Sequence, residues 1–343
     1  MDTTASDHYH ALLARHEAMR LRQRLFSPRQ GNTTGRSRAR YDGAADQQVI
    51  KESLDLVTPF EDLVADLYEA MFRRHPYLRQ LFPASMEFQR AHLARALWYL
   101  IEHLDRPDEV TAAFAQLGRD HRKLGVRPVH YEAFETALLE ALRHRAGERW
   151  TSSLEQAWLR MMRFAAATMV EGADSALSEP LSWQATVIDH QLRTPDVAVL
   201  RLQPSEPFPY RAGQYAPVES PLLKHTWRPY HLACAPRPDG ELEFHIRLAG
   251  IGGVSEALVR HTRRGDVLRL GPARGSMTLQ DAPVGDVLLV AFGTGWAAMK
   301  ALLEEAGSRH AVRSVHLFLG ARTLSELYDT EYLADVERRC PWL

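Results

Sequence analysis

The sequence predicts a multidomain protein with an all-α domain first, an antiparallel β-domain second and a partial α/β domain last. Three observations support this order. Apolar residues recur every three to four positions between residues 45 and 178, which is the helical period. Apolar and polar residues alternate between residues 182 and 281, as in half-buried strands. An apolar strand, a glycine turn and a helix follow one another within residues 284–343.

The composition is that of an ordinary globular protein. The 343 residues can form two or three domains, and a hydrophobic content of 45% is sufficient for packed cores. A net charge of -1 gives no general reason to expect nucleic acid or an acidic molecule as a partner. The longest apolar run, Val287–Phe292, is too short to span a membrane. Cys234 and Cys340 lie far apart without a Cys-x-x-Cys motif, so we expect a reducing compartment and a cytoplasmic protein.

Residues 1–44 differ from the rest because they are strongly basic and lack a regular apolar pattern. The arginines are Arg15, Arg20, Arg22, Arg24, Arg29, Arg36, Arg38 and Arg40. An arm that binds nucleic acid or an anionic surface is one interpretation. No aromatic residue lies among the arginines after Phe26, so we favour a disordered, solvated tail.

The helical region contains a histidine on an apolar stripe. Five helices are predicted, at Asp55–Phe72, Met86–Leu104, Val110–Leu124, His130–His144 and Ser152–Met169. In the third, His121 follows Phe114 and Leu117 at helical spacing, and Gly125 supplies a stop signal. A lone histidine in such a position is more often a core residue than a metal ligand.

Two polar residues upstream share that apolar environment. Tyr68 falls on the buried stripe of the first helix, which obliges its hydroxyl to find a partner inside. Phe82-Pro83 forms a corner, and Gln89 precedes Leu93 by one helical turn. An ordinary core tyrosine and a surface glutamine are the alternative interpretations.

The order of these residues resembles the globin domain of bacterial flavohaemoglobins. The shared motifs are Tyr-x-x-Met-Phe, Pro-x-Leu-x-x-x-Phe, Gln-Arg, and a His followed by Pro and Tyr seven and ten residues later. The resemblance implies haem b with His121 as the proximal iron ligand, Tyr68 and Gln89 facing bound O2, and Phe82 wedging the haem. His92 is a rival for the distal position, or a partner for a haem propionate.

The same resemblance implies a tyrosine and a carboxylate that make the proximal histidine more electron-rich. Tyr131 matches the tyrosine. The carboxylate is not clearly matched, because Ser175 falls at its place; Asp174 lies beside that position and Glu171 one turn earlier. We expect Asp174 to take the role.

Three motifs in the β-region resemble the flavin-binding barrel of the ferredoxin reductase superfamily. They are Gly213-Gln214-Tyr215, Arg228-Pro229-Tyr230-His231 and Gly252-Gly253-Val254-Ser255. The resemblance implies an antiparallel β-barrel that binds FAD, with Arg228 on the pyrophosphate and Tyr230 against the isoalloxazine ring. The glycine turn would present free backbone N–H groups to phosphate. His231 replaces the usual Ser or Thr, and its larger ring can crowd the flavin.

The turn Gly293-Thr294-Gly295 follows a buried strand and precedes a helix, as a nicotinamide-dinucleotide site requires. We therefore expect NAD(P)H binding by a partial nucleotide-binding domain. Arg322 is either a ligand of a ribose 2′-phosphate or a solvated arginine. The sequence ends at Leu343 after two βα units, so we expect a curtailed domain or a partner that covers its open sheet edge.

The combined resemblance implies a nitric oxide dioxygenase. Electrons from NAD(P)H would pass through FAD to the haem, where bound O2 would oxidise NO to nitrate. O2 and NO would then be the small-molecule ligands, and no membrane partner is expected. A second hypothesis is a haem-based O2 or NO sensor, or an electron-transfer module that cannot turn over alone. Reduction of the protein by NADH or NADPH would distinguish the two.

Overall fold

The computed structural model describes residues 41–279, 285–307 and 312–340, so most of the predicted basic tail lies outside the described residues. The chain divides into two compact units between Pro180 and Leu181. Each unit has its own hydrophobic core. No helix among the described residues is long and apolar enough to cross a bilayer.

The described part of the first unit is all-α. Its helices are α1 (Ala44–Lys51), α2 (Phe60–Arg74), α3 (Glu87–Glu102), α4 (Pro107–His121), α5 (Pro128–Ala146) and α6 (Ser152–Ser175). The five predicted helices are confirmed with shifted ends, and α1 was not predicted as a separate helix. The predicted start at Asp55 is wrong because Pro59 has an extended backbone (φ -73°, ψ 144°), so α2 begins at Phe60.

Helices α4 and α6 approach each other closely at two glycines. A Cβ atom added to Gly118 of α4 would overlap the carbonyl oxygen of Met169 in α6. One added to Gly172 of α6 would overlap the carbonyl oxygen of Ala115 in α4. Since any side chain would separate the two backbones, this contact fixes the position of α4 and of His121 at its end.

The second unit begins with one antiparallel sheet. Its strands are β1 (Trp183–Thr194), β2 (Val197–Pro204), β3 (Tyr215–Glu219), β4 (Trp227–His231), β5 (Leu242–Arg247) and β6 (Val267–Leu270). The sheet order is β4-β3-β6-β1-β2-β5. The predicted barrel is not closed: within the described residues β4 and β5 share no continuous ladder, only an isolated bridge between Leu232 and Phe244. The antiparallel pairing itself is confirmed.

An α/β segment completes the second unit. Its elements are α7 (Val254–Glu256, continued by a π-turn at Ala257–His261), β7 (Gly285–Phe292), α8 (Trp296–Ala306), β8 (Val312–Gly320) and α9 (Thr330–Arg339). Strands β7 and β8 are parallel, which confirms the predicted strand–turn–helix–strand order. One face of this two-stranded sheet packs on α8, whereas Leu288, Val290, Phe292 and Phe318 on the other face are at least half exposed.

Replacing Gly118 by Ala tests the helix contact. Alanine ordinarily stabilises a helix by about 1 kcal/mol relative to glycine. Here we expect Gly118→Ala to lower the free energy of unfolding by about 2 kcal/mol, because the methyl group forces the backbones apart. Urea unfolding followed by tryptophan fluorescence measures the change. Ala112→Gly, at an exposed position of the same helix, is the control and should cost at most about 1 kcal/mol. A more stable Gly118→Ala protein would contradict the proposed contact.

Candidate functional site

His121 is the last residue of α4 and is oriented by its own helix. Its Nδ1 lies 2.8 Å from the carbonyl oxygen of Leu117, so the ring donates from Nδ1 and leaves the lone pair of Nε2 available to a metal. Burial lowers the pKa of His121 below its usual value, although the Leu117 bond acts in the opposite direction. The described residues contain no group of three or more His, Cys, Asp or Glu side chains that could hold a metal ion. A single imidazole fits a metal that brings its other ligands with it, as in haem.

Tyr68, Phe72 and Phe82 form one aromatic group. The ring of Tyr68 stacks on Phe72 with centroids 5.8 Å apart and meets the edge of Phe82 at 5.5 Å. Tyr68 is buried, and burial raises the pKa of its hydroxyl, against a smaller lowering by Arg90. The hydroxyl is not one of the fully buried, unpartnered polar atoms of the described residues, and Tyr68 lines a cavity. A tyrosine hydroxyl beside a cavity can donate a hydrogen bond to a polar ligand.

Gln89, at the start of α3, has a buried polar atom without a partner. Its Oε1 is buried and has no hydrogen-bond partner among the described residues. His92, the rival distal residue, is exposed, and its Nδ1 contacts the carbonyl oxygen of Phe88 and the guanidinium of Arg95. The geometry therefore favours Gln89 over His92 as a group that faces a buried ligand.

The hydrophobic core of the helical unit includes residues near each candidate haem ligand. Tyr68, Phe82 and Leu93 contribute from α2, the corner and α3, and Leu117 and Tyr131 contribute from α4 and α5. A cavity of about 680 Å³ reaches Tyr68 and Phe72. The position of Tyr68 beside this cavity, the unpartnered amide oxygen of Gln89 and the orientation of His121 fit haem.

The predicted proximal carboxylate is less well matched. Asp174 is half-buried near the end of α6, while Glu171 is exposed. The hydrogen bond made by His121 Nδ1 goes to Leu117, not to either acid. Tyr131 is half-buried, and burial raises the pKa of its hydroxyl. The roles of Asp174 and Tyr131 therefore stay predictions.

Strands β3 and β4 bring the second set of predicted residues together. Their register pairs Tyr215 with His231, whose ring centroids are 5.9 Å apart, and places Arg228 opposite Val218. Arg228 and Tyr230 are two residues apart on β4 and so share one face. Burial raises the pKa of Tyr230 to about 12, against a lowering by the Arg228 charge. A cation beside a half-buried aromatic face fits a flavin dinucleotide.

Two of the predicted flavin-binding side chains, Gln214 and His231, make hydrogen bonds to the backbone of this chain. Gln214 accepts a hydrogen bond from the N–H of Arg211 (2.9 Å) and donates to the carbonyl oxygen of Gly275 (3.0 Å), so it shapes the start of β3. His231 Nδ1 lies 3.2 Å from the carbonyl oxygen of Gly213. A neutral His231 that donates this bond presents Nε2 as an acceptor, unlike the Ser or Thr hydroxyl that it replaces.

The turn Gly252–Ser255 does not present all of its backbone N–H groups freely, as the sequence analysis expected. The N–H of Gly252 is not free, because it donates to a carboxylate oxygen of Glu256 at 2.5 Å. The hydroxyl of Ser255 accepts from the N–H of Ala249 at 3.1 Å. The amides of Val254 and Ser255 begin the helix and have no intrahelical acceptor, so they remain candidates for a phosphate. Gly253 is the N-cap of this short helix.

The nucleotide turn is formed as predicted. Gly293, Thr294 and Gly295 make a 3₁₀ turn between β7 and α8, and Gly293 has a positive φ of 53°. Sequence reasoning missed Arg247, whose guanidinium lies 3.6 Å from the place that a Cβ of Gly293 would occupy. The one feature of the sequence that could have indicated Arg247 is a positive charge at the end of a predicted strand. Arg322 pairs with Glu326 at 2.8 Å and its side chain is 81% exposed, which supports the solvated interpretation.

Family comparisons match both the helical unit and the sheet of the second unit. Residues 65–169 match the Globin family, and residues 184–279 match the oxidoreductase FAD-binding domain. The chain is 25% identical over 300 residues to a flavohemoprotein of Bacillus subtilis, covering 82% of this chain and 74% of the relative. It is 34% identical over 169 residues to the reductase component of the naphthalene 1,2-dioxygenase system of Pseudomonas putida, covering 49% of this chain and 50% of that protein.

A solved structure shows the same fold along most of the chain. The flavohemoglobin of Malassezia yamatoensis, determined with bound FAD and haem, superposes with a TM-score of 0.70 over 87% of this chain and 82% of that one, at 18% identity. The two domains in this order define a haem globin joined to an FAD-binding reductase module. The chain is similar, over 82% and 74% of its length, to the flavohemoproteins of Bacillus subtilis and Chromobacterium violaceum. Its cofactors are accordingly haem and FAD, and NAD(P)H is the substrate of the reductase module.

Replacing Tyr68 by Phe separates a ligand role from a structural one. We expect the free energy of unfolding without haem to be unchanged, because the hydroxyl of Tyr68 lies beside a cavity. We expect O2 to dissociate from the haem-loaded protein about tenfold faster, since one hydrogen bond to the ligand is lost. Stopped-flow absorbance measures the dissociation rate. Tyr41→Phe is the control: it removes a 2.7 Å bond to Asp46, so it should lower stability and leave the O2 rate unchanged.

Replacing Arg228 by Ala tests the flavin assignment. Loss of a charge-assisted bond to phosphate should weaken FAD binding about ten- to a hundredfold. Quenching of flavin fluorescence on titration of the FAD-free protein gives the dissociation constant. Arg338→Ala, which removes an exposed cation of α9, should bind FAD as the unmodified protein does. Equal FAD affinities for the two variants would contradict the role of Arg228.

Proposed function

We propose that this protein is a flavohaemoglobin and an NAD(P)H-dependent nitric oxide dioxygenase, which uses O2 to convert NO to nitrate. The observation that carries the proposal is a globin domain, with Tyr68 lining one of its cavities, in the same chain as a reductase module. A globin that only stores oxygen has no need of a reductase in the same chain. The relatives named flavohemoprotein support the same combination of domains.

The residues of the helical unit prepare a site for a polar diatomic ligand. When bound, haem supplies redox-active iron, and FAD converts the two-electron donor NAD(P)H into a source of single electrons. With haem bound, Tyr68 would donate a hydrogen bond from its hydroxyl, and Gln89 one from its amide N–H, towards a partly negative diatomic ligand. The rings of Phe72 and Phe82 would place apolar surface beside this position, which strengthens hydrogen bonds.

The proximal side orients one nitrogen towards the metal. The Leu117 carbonyl keeps the Nδ1 proton of His121 in place, so the ligating nitrogen is Nε2. We include Asp174 and Tyr131 in the proposal as residues that would increase the basicity of this imidazole once haem is bound. Such an increase favours oxygen activation over storage.

The residues of the second unit would hold the flavin and the nicotinamide. Arg228 would neutralise the FAD pyrophosphate, Tyr230 would pack against the ring system, and the amides of Val254 and Ser255 would bind phosphate. The Gly293–Gly295 turn admits the pyrophosphate of NAD(P)H close to the backbone. Cys234 and Cys340 are both free thiols, which supports a cytoplasmic location for the proposed enzyme.

The test uses the full chain loaded with haem and FAD. Without oxygen, NADH or NADPH should reduce the flavin and then the haem, as followed in the visible spectrum. With O2 and NO present, the protein should consume NO and release nitrate in proportion to the nicotinamide oxidised. Tyr68→Phe should lower the turnover rate about tenfold because it weakens one hydrogen bond to the reacting oxygen.

The controls separate the enzyme from a sensor. His121→Ala should lose the haem spectrum and NO consumption while FAD reduction continues. A protein whose haem is reduced only by added dithionite, and never by NADH or NADPH, would reject the enzyme and favour the O2 or NO sensor.

A further inference from the structure

A buried lysine follows the nucleotide-binding turn. Lys300 lies on α8, five residues after Gly295, and is only 5% exposed. Its ammonium group forms an ion pair with Glu243 of β5 and lies 3.8 Å from a carboxylate oxygen of Asp329. It also lies 4.2 Å from the ring centroid of Tyr332. Lys300 therefore connects α8 both to the flavin-binding sheet and to the start of α9.

The partner of Lys300 on the sheet is itself held in place. His245, two residues along β5, lies 2.9 Å from Glu243 through Nε2 and 2.8 Å from the hydroxyl of Tyr328 through Nδ1. Burial alone would raise the pKa of Glu243, but His245 and Lys300 outweigh it and lower the pKa to about 2. The carboxylate is thus charged at neutral pH.

A second connection begins next to the turn. Trp296 directly follows Gly295, and its indole N–H donates to Asp329 at 2.8 Å. Asp329 therefore contacts two residues of α8, Trp296 through a hydrogen bond and Lys300 through its charge. Both connections end at the helix that opens with Gly293–Gly295, so they restrain the turn from its carboxyl-terminal side.

A buried ion pair is an inefficient source of stability compared with apolar packing. Buried ion pairs stabilise a fold little more than apolar residues of equal size, because desolvation offsets the attraction. A buried ion pair does fix the relative position of the two elements that carry it, because any other arrangement leaves a charge unpaired in the interior.

We propose that Lys300 is a positioning residue that fixes the Gly293–Gly295 turn against strand β5 of the flavin-binding sheet. Its consequence for catalysis rests on the proposed transfer of electrons from NAD(P)H to FAD. A turn fixed to the flavin-binding sheet holds the nicotinamide donor at one distance and orientation, and such alignment contributes directly to rate.

Hydrogen exchange tests the restraint without reference to activity. In Lys300→Met, the amides of residues 291–299 should exchange about tenfold faster than in the unmodified protein, because about 1.4 kcal/mol of local restraint corresponds to that factor. The amides of β1 and β2 should be unaffected. Asp329→Asn, which keeps an acceptor for Trp296 but removes the charge near Lys300, should show a smaller change in the same direction. Arg338→Met, the exposed-cation control, should show none.

Flavin reduction tests the catalytic consequence. In Lys300→Met with FAD bound, we expect the KM for the nicotinamide to rise about tenfold, or the limiting rate of flavin reduction to fall about tenfold, with an unchanged dissociation constant for FAD. Reduction by dithionite should be unaffected. If Lys300→Met does not fold, Asp329→Asn provides the same two measurements.

The outcomes are distinct. Unchanged exchange at 291–299 in the folded variants overturns the proposal. Faster exchange spread equally over β1 and β2 also overturns it, because Lys300 would then act only on overall stability. Faster local exchange with normal flavin reduction removes the catalytic part. If the unmodified protein is not reduced by NADH or NADPH, the proposed function fails, and the exchange measurement still decides the restraint.

Discussion

The contact between α4 and α6 is the constraint on which the haem half depends. Two glycines, Gly118 and Gly172, let the helix backbones meet where any side chain would overlap a carbonyl oxygen. Because α4 ends at His121, three residues after Gly118, the place of the imidazole follows from this backbone contact and not from the histidine itself. The Leu117 carbonyl then determines which ring nitrogen is left for a metal. The position of His121, the proposed proximal ligand, is thus fixed by the packing of small residues, and its ring is oriented by a local hydrogen bond.

Hydrogen bonding separates one candidate ligand residue from a glutamine that holds the fold together. The Oε1 of Gln89 lies in the interior and has no partner within the described residues. Gln214 has the same chemistry as Gln89, yet both ends of its amide are used to hold two backbone segments together. An unsatisfied buried group costs free energy in the folded chain, so its retention is best explained by a ligand that completes it.

Much of the fold followed from the sequence because its signals are local. Helical spacing placed His121 at the end of α4, and the strand–turn–helix order around Gly293 predicted the parallel strands β7 and β8. The start of α2 was misplaced because the apolar spacing continues across Pro59, although the extended backbone of this proline begins the helix only at Phe60. The open sheet and the Glu256 bond to Gly252 depend on tertiary geometry that residue spacing does not encode. The role of Lys300 is not visible in the sequence, because its partners Glu243 and Asp329 are distant along the chain.

The solvent side of strands β7 and β8 has a practical consequence for handling the protein. This side is an exposed hydrophobic patch, formed by Leu288, Val290, Phe292 and Phe318. Salts that are excluded from protein surfaces, such as sulfate, strengthen the attraction between patches of this kind, whereas cooling weakens it. The chain should therefore stay monodisperse best in dilute, cold, low-sulfate solution, and light scattering should detect self-association first on salting out.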